Sequence, residues 1–193
     1  MSARDTPRSI LLAARRLLDE GGASAVSMRK VAEQVGITAM AIYRHYPDHA
    51  ALLSALSDQG FAEMAAVLRE APLAGEFSDR MVAACEAYLD YALVNPRLFE
   101  LMFLSRRPGA RQFPRDFKAG LSPTANLFAA LVEKGMRDGD LRDDDIWEIT
   151  FEMGALLQGL IILYLGGRFE GGPEDFRLFF RRALRRYIHG IHV

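Results

Sequence analysis

Apolar residues return at three- and four-residue intervals along nearly the whole chain, the spacing of one helix face. Ile10, Ala14, Leu17 and Leu18 make the first such stripe, after the cap and first-turn pair Thr6-Pro7, and Gly21-Gly22 ends it. Val31, Ala32 and Val35 make a second, stopped by Gly36, where a positive φ would let the chain turn. Thr38 can open a third helix by accepting its orphan N–H groups, with Ile42 and Tyr46 one turn apart to pin it down. Asp48 caps a fourth helix to about residue 71, whose apolar positions are Leu52, Leu53, Leu56, Met64 and Leu68; Pro72 and Gly75 break it. Further helices are predicted over about 78–94, 96–104, 117–136 (irregular near Pro123), 147–165 and 173–188. No strand-like alternation or repeat interrupts them. The expectation is an all-α fold of about nine helices.

The second and third helices, joined by the glycine turn, leave Ala39, Met40, Tyr43 and Arg44 on an outer face. Two helices in a tight turn, the second with an uncovered face, is how a helix is placed in the DNA major groove. The motifs Met28-Arg29-Lys30-Val31-Ala32, Val35-Gly36-Ile37, Ile42-Tyr43-x-His45-Tyr46-Pro47 and Ala51-Leu52-Leu53 carry a resemblance. Residues 10–53 resemble the DNA-binding region of the tetracycline-repressor (TetR) family of bacterial regulators. One departure matters: His49 stands where the family usually has a phosphate-binding lysine, so that contact is either weaker and pH-dependent or absent.

The resemblance implies that Thr38 and Tyr43 meet backbone phosphate. His45 matches the family histidine near the backbone, with a capping or packing role as the alternative. The shared helix face assigns base reading to Ala39, Met40, Ala41 and Arg44, with Arg29 reaching in from the preceding helix. Arg44 can bind guanine O6 and N7 in bidentate fashion. Arg4 and Arg8 either follow the minor groove or form a frayed tail. The division expected is a DNA-binding domain over 1–48 and an effector-binding and dimerisation domain over 49–193.

The helix over 147–165 becomes apolar almost all round, so it must be covered on every side. The last helix sets Phe176, Phe179, Phe180, Ala183, Leu184 and Tyr187 on one stripe and Arg177, Arg181 and Arg185 opposite, a solvated basic face. Together they predict a two-fold, four-helix interface through Leu160, Ile161, Leu163, Leu165, Phe176, Phe180, Leu184 and Tyr187. Such a homodimer reads two half-sites of a palindromic operator. The middle of the chain is rich in rings and methionine, which pack adaptably around cavities as well as in ordinary cores. Phe61, Met64, Phe99, Met102, Phe103 and Phe128 belong to this group, as do Trp147 and Phe151. Tyr88, Tyr91, Gln158 and Tyr164 supply polar groups to orient a greasy small-molecule effector. The expected mechanism is repression relieved by that ligand, with the fourth helix transmitting the change.

Charge refines this picture slightly. The net charge is −1, yet residues 1–46 carry seven Arg or Lys against four acids, a modestly basic head on an acidic body. Arginine outnumbers lysine 21 to 3, which genome composition explains. The arginine-rich segment over 105–114 is expected to be a solvated loop, with an anion site as the alternative. Cys85 is the only cysteine, which excludes an intrachain disulfide and a cysteine-based zinc cage; a buried hydrophobe is its default role, a redox sensor the rival. With no apolar signal core and only Gly159 to Leu165 as a continuous apolar run, no membrane span and a bacterial cytoplasmic location are expected. No Glu-x-x-His pair, nucleophile–base arrangement or phosphate-cradling loop marks an enzyme, and His189-x-x-His192 lacks further ligands, so neither metal nor cofactor is expected. The competing reading is a regulator-like protein that binds a protein partner; steep weakening with salt marks the DNA binder.

Overall fold

The computed structural model describes residues 6–107 and 109–192. Ten α-helices and no strand occur among them. They are α1 (Thr6–Gly21), α2 (Met28–Val35), α3 (Ala39–Tyr43), α4 (His49–Arg69), α5 (Phe77–Val94), α6 (Pro96–Phe103), α7 (Arg115–Lys118), α8 (Pro123–Asp138), α9 (Ile146–Leu165) and α10 (Pro173–Ile191). The extra helix arises where one was expected over 117–136. Gly120, at φ +71°, ends the short α7 segment, and Ser122 with Pro123 starts α8 afresh, the serine Oγ accepting from Ala125 N–H.

The chain divides into two compact units. The first holds α1–α3, the beginning of α4 up to Phe61, and α6 with the residues after it. In this unit α6 folds beside α1, far from it in the chain. Inside this unit α1 lies across α2 and against α6, burying Ile10, Leu18, Val31, Ile42 and Leu52 completely. Gly60 lets α4 approach α6: a Cβ there would lie 2.6 Å from the Met102 sulfur and 3.0 Å from Leu98. Arg15 of α1 hydrogen-bonds Asn95 at the start of α6.

The second unit holds α5, the rest of α4, and α7–α10. Here α9 packs on α8, α5 and α10, and α10 packs on α5. Its core is built from Met81, Cys85 and Leu89 of α5, Val132 of α8, Met153, Leu157 and Ile161 of α9, and Phe176, Phe180 and Leu184 of α10. Four residues expected at a subunit interface (Ile161, Phe176, Phe180 and Leu184) are thus buried within their own chain. The stripe was real, but the body itself supplies the covering surface. Tyr187 also turns inward, donating to the Ile149 carbonyl at 3.3 Å. The arginine side of α10 is not merely solvated: Arg177 pairs with Asp90, Arg181 with Glu86, and Arg185 with Asp79, fastening α10 along α5.

What α9 leaves uncovered is a different ridge. Phe151, Ala155, Gly159 and Leu163 follow at four-residue spacing and all are exposed, with Leu160 and Leu165 half-buried beside them. The apolar segment is also longer than its sequence run suggested. By length and composition alone α9 could cross a bilayer, although Ile149, Thr150, Met153, Leu157 and Ile161 pack it into a protein core.

Candidate nucleic-acid interface

The head is assembled by capping chemistry. Ser27 accepts from Lys30 N–H to start α2, and Gly36 ends it at φ +73°, with open space where a Cβ would stand. Thr38 Oγ1 accepts from Ala41 N–H at 3.2 Å to start α3. Its hydroxyl hydrogen remains a donor that can point away from the helix. Asp48 caps α4 through Ala51 N–H at 2.7 Å. Ile42, wholly buried, anchors α3 on the core.

With that anchor set, the opposite side of α3 faces outward. Met40 is 69 % exposed and Tyr43 45 %, while Ala39 and Ala41 are half-buried beside them. α3 is shorter than expected: it stops at Tyr43, and Arg44 is its C-cap, still in right-handed helical conformation at φ −70°. His45 and Tyr46 follow in a turn, both donating N–H to the Ile42 carbonyl. Arg29, Arg44 and His45 are exposed, and among the described residues neither arginine has an ion pair or side-chain hydrogen bond. Exposed Met40 and Tyr43 on α3, Arg44 at its end and Arg29 on α2 are groups able to neutralise phosphate and reach base edges.

His49 behaves otherwise. Its Nε2 lies 2.9 Å from the Val26 carbonyl, and a carbonyl only accepts, so this nitrogen donates inward. The ring clamps the segment before α2 to the start of α4, a structural use the sequence did not signal. Arg8 is exposed on α1, and Arg4 lies outside the described residues.

The expected effector residues fall into separate groups. In the first unit Phe61, Phe99 and Phe103 form a ring cluster, with centroids 5.2 Å apart for Phe61–Phe103 and 4.7 Å for Phe99–Phe103, and Met102 is buried beside Gly60. Arg107, expected in a solvated loop, is instead only 6 % exposed at its side chain. It lies 5.9 Å over the Phe61 ring and 3.8 Å from the Asp58 carboxylate. In the second unit Met64 and Tyr88 are buried, the Tyr88 ring meets Phe128 edge-on, and its phenol faces the Gln158 amide. Burial pushes the Tyr88 phenol well above its ordinary range, and the Gln158 contact only partly offsets this. Tyr91 donates to Glu63 at 3.2 Å. Trp147 is half-buried in the first turn of α9.

Two residues of that set belong to other clusters. Phe151 stacks on Phe113 at 4.3 Å, under the α7 segment, and Tyr164 stacks on Phe176 at 4.2 Å beside Phe169. Both take part in aromatic packing at opposite ends of α9, Phe151 while remaining 43 % exposed. Neither pairing was visible in the sequence, because each joins positions brought together only by helix packing.

Comparison with known proteins gives a consistent picture. Residues 10–56 match the family described as bacterial regulatory proteins, tetR family, and residues 81–187 match the tetracyclin repressor-like C-terminal domain. A helix-turn-helix (HTH)-type transcriptional regulator of Mycobacterium tuberculosis is 30 % identical over 140 residues, 70 % of this chain and 59 % of that protein. The chain thus spans less than two thirds of that relative's length. The class A tetracycline repressor protein of transposon 1721 from Escherichia coli is 29 % identical over 159 residues, 79 % of this chain and 66 % of that one. A solved structure from Rhodococcus sp. RHA1, of a protein of unknown function, superposes with TM-score 0.79 at 27 % identity, covering 96 % of this chain and 95 % of the other.

Proposed function

This chain belongs to the TetR family of DNA-binding transcriptional regulators, and on that footing we propose that it is a dimeric repressor released from a palindromic operator by a small, largely apolar effector. The observation that carries the DNA role is the outer face of α3, where Met40, Tyr43 and Arg44 are exposed around a helix anchored by buried Ile42, with Arg29 exposed on α2 before it. Thr38 and Tyr43 bind phosphate, Arg44 and Arg29 reach base edges, and the Ala39, Met40 and Ala41 surfaces contact thymine methyl groups. His45 lies near the backbone, and His49 acts by positioning the head rather than as a phosphate ligand. Residues 1–48 supply the DNA contacts; residues 49–193 bind effector and pair the subunits.

Pairing runs through the exposed α9 ridge of Phe151, Ala155, Gly159 and Leu163, whose small central residues let two helices approach closely. Leu160 and Leu165 flank it. One helix in one groove contacts too few base pairs for selectivity, and a two-fold partner doubles the site. The effector lies among the rings and methionines of the body and favours the state in which the two recognition helices no longer fit successive grooves. A coupling of about 1–3 kcal/mol is enough for such regulation. The transposon relative's name, a tetracycline repressor, supports repression as the sign. Acting on the chromosome places the protein in the bacterial cytoplasm, and the chemistry requires no catalysis, metal or cofactor.

The test is selection of bound fragments from a random DNA pool by the purified chain. A palindromic motif whose binding weakens steeply with salt is expected. Recovery of no motif, or binding insensitive to salt, rejects the reading.

A further inference from the structure

Apolar contacts hold two helices together but tolerate small rotations, whereas a hydrogen bond weakens steeply once its angle is lost. The joint between α4 and the other helices of the head depends on few contacts of either kind. The extensive helix pairs of the first unit are α1 with α2, α2 with α3 and α1 with α6, and none includes α4. On α4 itself Leu52 and Leu56 are buried, and Gly60 approaches α6. A directional tie comes from His49, whose Nε2 donates to the Val26 carbonyl at 2.9 Å.

Both ends of that bond sit at joints of the chain. His49 is the first residue of α4, directly after its Asp48 cap. Val26 is 2 % exposed, closes the short 3-10 turn over Ala23–Ala25, and immediately precedes Ser27, the cap of α2. Its carbonyl belongs to no helix, so without His49 an acceptor of a nearly buried residue would lose this donor. α2 packs on α3 in turn. The bond therefore sets the angle between α4 and the α2–α3 pair, and α4 runs on from it to Arg69, beyond the first unit.

We propose that His49 is a positioning residue that fixes the spacing of operator half-sites the protein accepts. The proposal deepens the DNA-binding and pairing reading above and rests on it. Along the chain, the recognition helix α3 lies on one side of this joint and the pairing ridge of α9 on the other. A small rotation at the joint moves α3 toward or away from its two-fold mate. With the joint held at one angle, only one separation of half-sites offers its grooves to both copies of α3. What the joint requires is one N–H donor at the Nε2 position, not a positive charge.

The experiment uses the full-length protein, the operator it selects, and that operator with one base pair added or removed between its half-sites. His49→Gln keeps a neutral N–H donor the same number of bonds from the backbone, and His49→Leu keeps bulk without a donor. Wild type and His49→Gln are expected to lose about tenfold or more in affinity on either altered spacing, while His49→Leu loses less than about threefold. On the original operator His49→Leu should bind severalfold more weakly, with an unchanged slope of log affinity against log salt. A spacing preference that survives His49→Leu would overturn the proposal. So would a salt slope smaller by about one in both variants, the mark of a phosphate contact, or a lowered urea midpoint as the only change. Without DNA, nitrogen NMR of histidine-labelled protein at mildly alkaline pH should show a protonated Nε2 on the resonance that His49→Gln removes; a protonated Nδ1 there also defeats it. Selection of no operator rejects the DNA reading and this one together, whereas an operator whose spacing preference ignores His49→Leu rejects this one alone.

Discussion

Arg44 and Cys85 show how far single side chains can be understood from their surroundings. Arg44 is exposed at the end of α3, and among the described residues no acid pairs with it. If it reads guanine, Arg44→Ala will lose preference at one base pair, worth about 1–3 kcal/mol in a mobility-shift series of operator variants. Equal weakening on every variant would instead assign it to phosphate. Cys85 is the opposite case, fully buried between core residues of α5. Burial, helped by the Glu86 charge, pushes its thiol far up. An exposed thiol titrates near about 8.5, so above that pH the unfolded chain ionises while the native one does not. The sign is therefore a stability contribution that is complete below that pH and declines as pH rises through it. Ellman's reagent should label Cys85 only as fast as the protein unfolds; prompt labelling of native protein would rule out this placement and revive a redox role.

Helices depend on both their ends and their faces, and the two were unequally legible. Gly36, Thr38 and Asp48 carry their end signals in their own chemistry, and each caps or stops a helix where expected. The break before α8 was only hinted at by Pro123, since α7 is too short to leave a periodic stripe. Faces are harder, because periodicity shows that a stripe is buried but not by what. α10 illustrates this: its phenylalanine stripe packs on its own unit, and its arginines are tied to α5 acids. Close helix packing makes a testable claim at Gly135 of α8, where a Cβ would lie 2.6 Å from the buried Phe77 ring. Helix propensity alone favours alanine by about 1 kcal/mol. Overpacking should reverse that, and Gly135→Ala is expected to destabilise by about 1–3 kcal/mol in urea denaturation. An unchanged or raised midpoint would show that the ring can move aside.

For the molecule as a whole, the proposed pairing through α9 turns on an apolar ridge that its own chain leaves uncovered. Leu163 is 52 % exposed on that ridge. Leu163→Glu should leave helix content intact while light scattering shows a monomer, and operator affinity should collapse with it. A variant that stays dimeric would move the interface elsewhere. Residues 10–53 resembled the family from the amino-acid order alone, and the family match covers 10–56, since capping residues, a turn glycine and one apolar stripe per helix act over a few neighbouring positions. The all-α class followed from the same local spacing. Which stripe faces core and which faces a partner, whether Arg107 is wet or buried, and that α6 packs with the head were decided only by folding. Each depends on which surfaces far apart in the chain meet, and a repeat every three or four residues does not specify its opposite side.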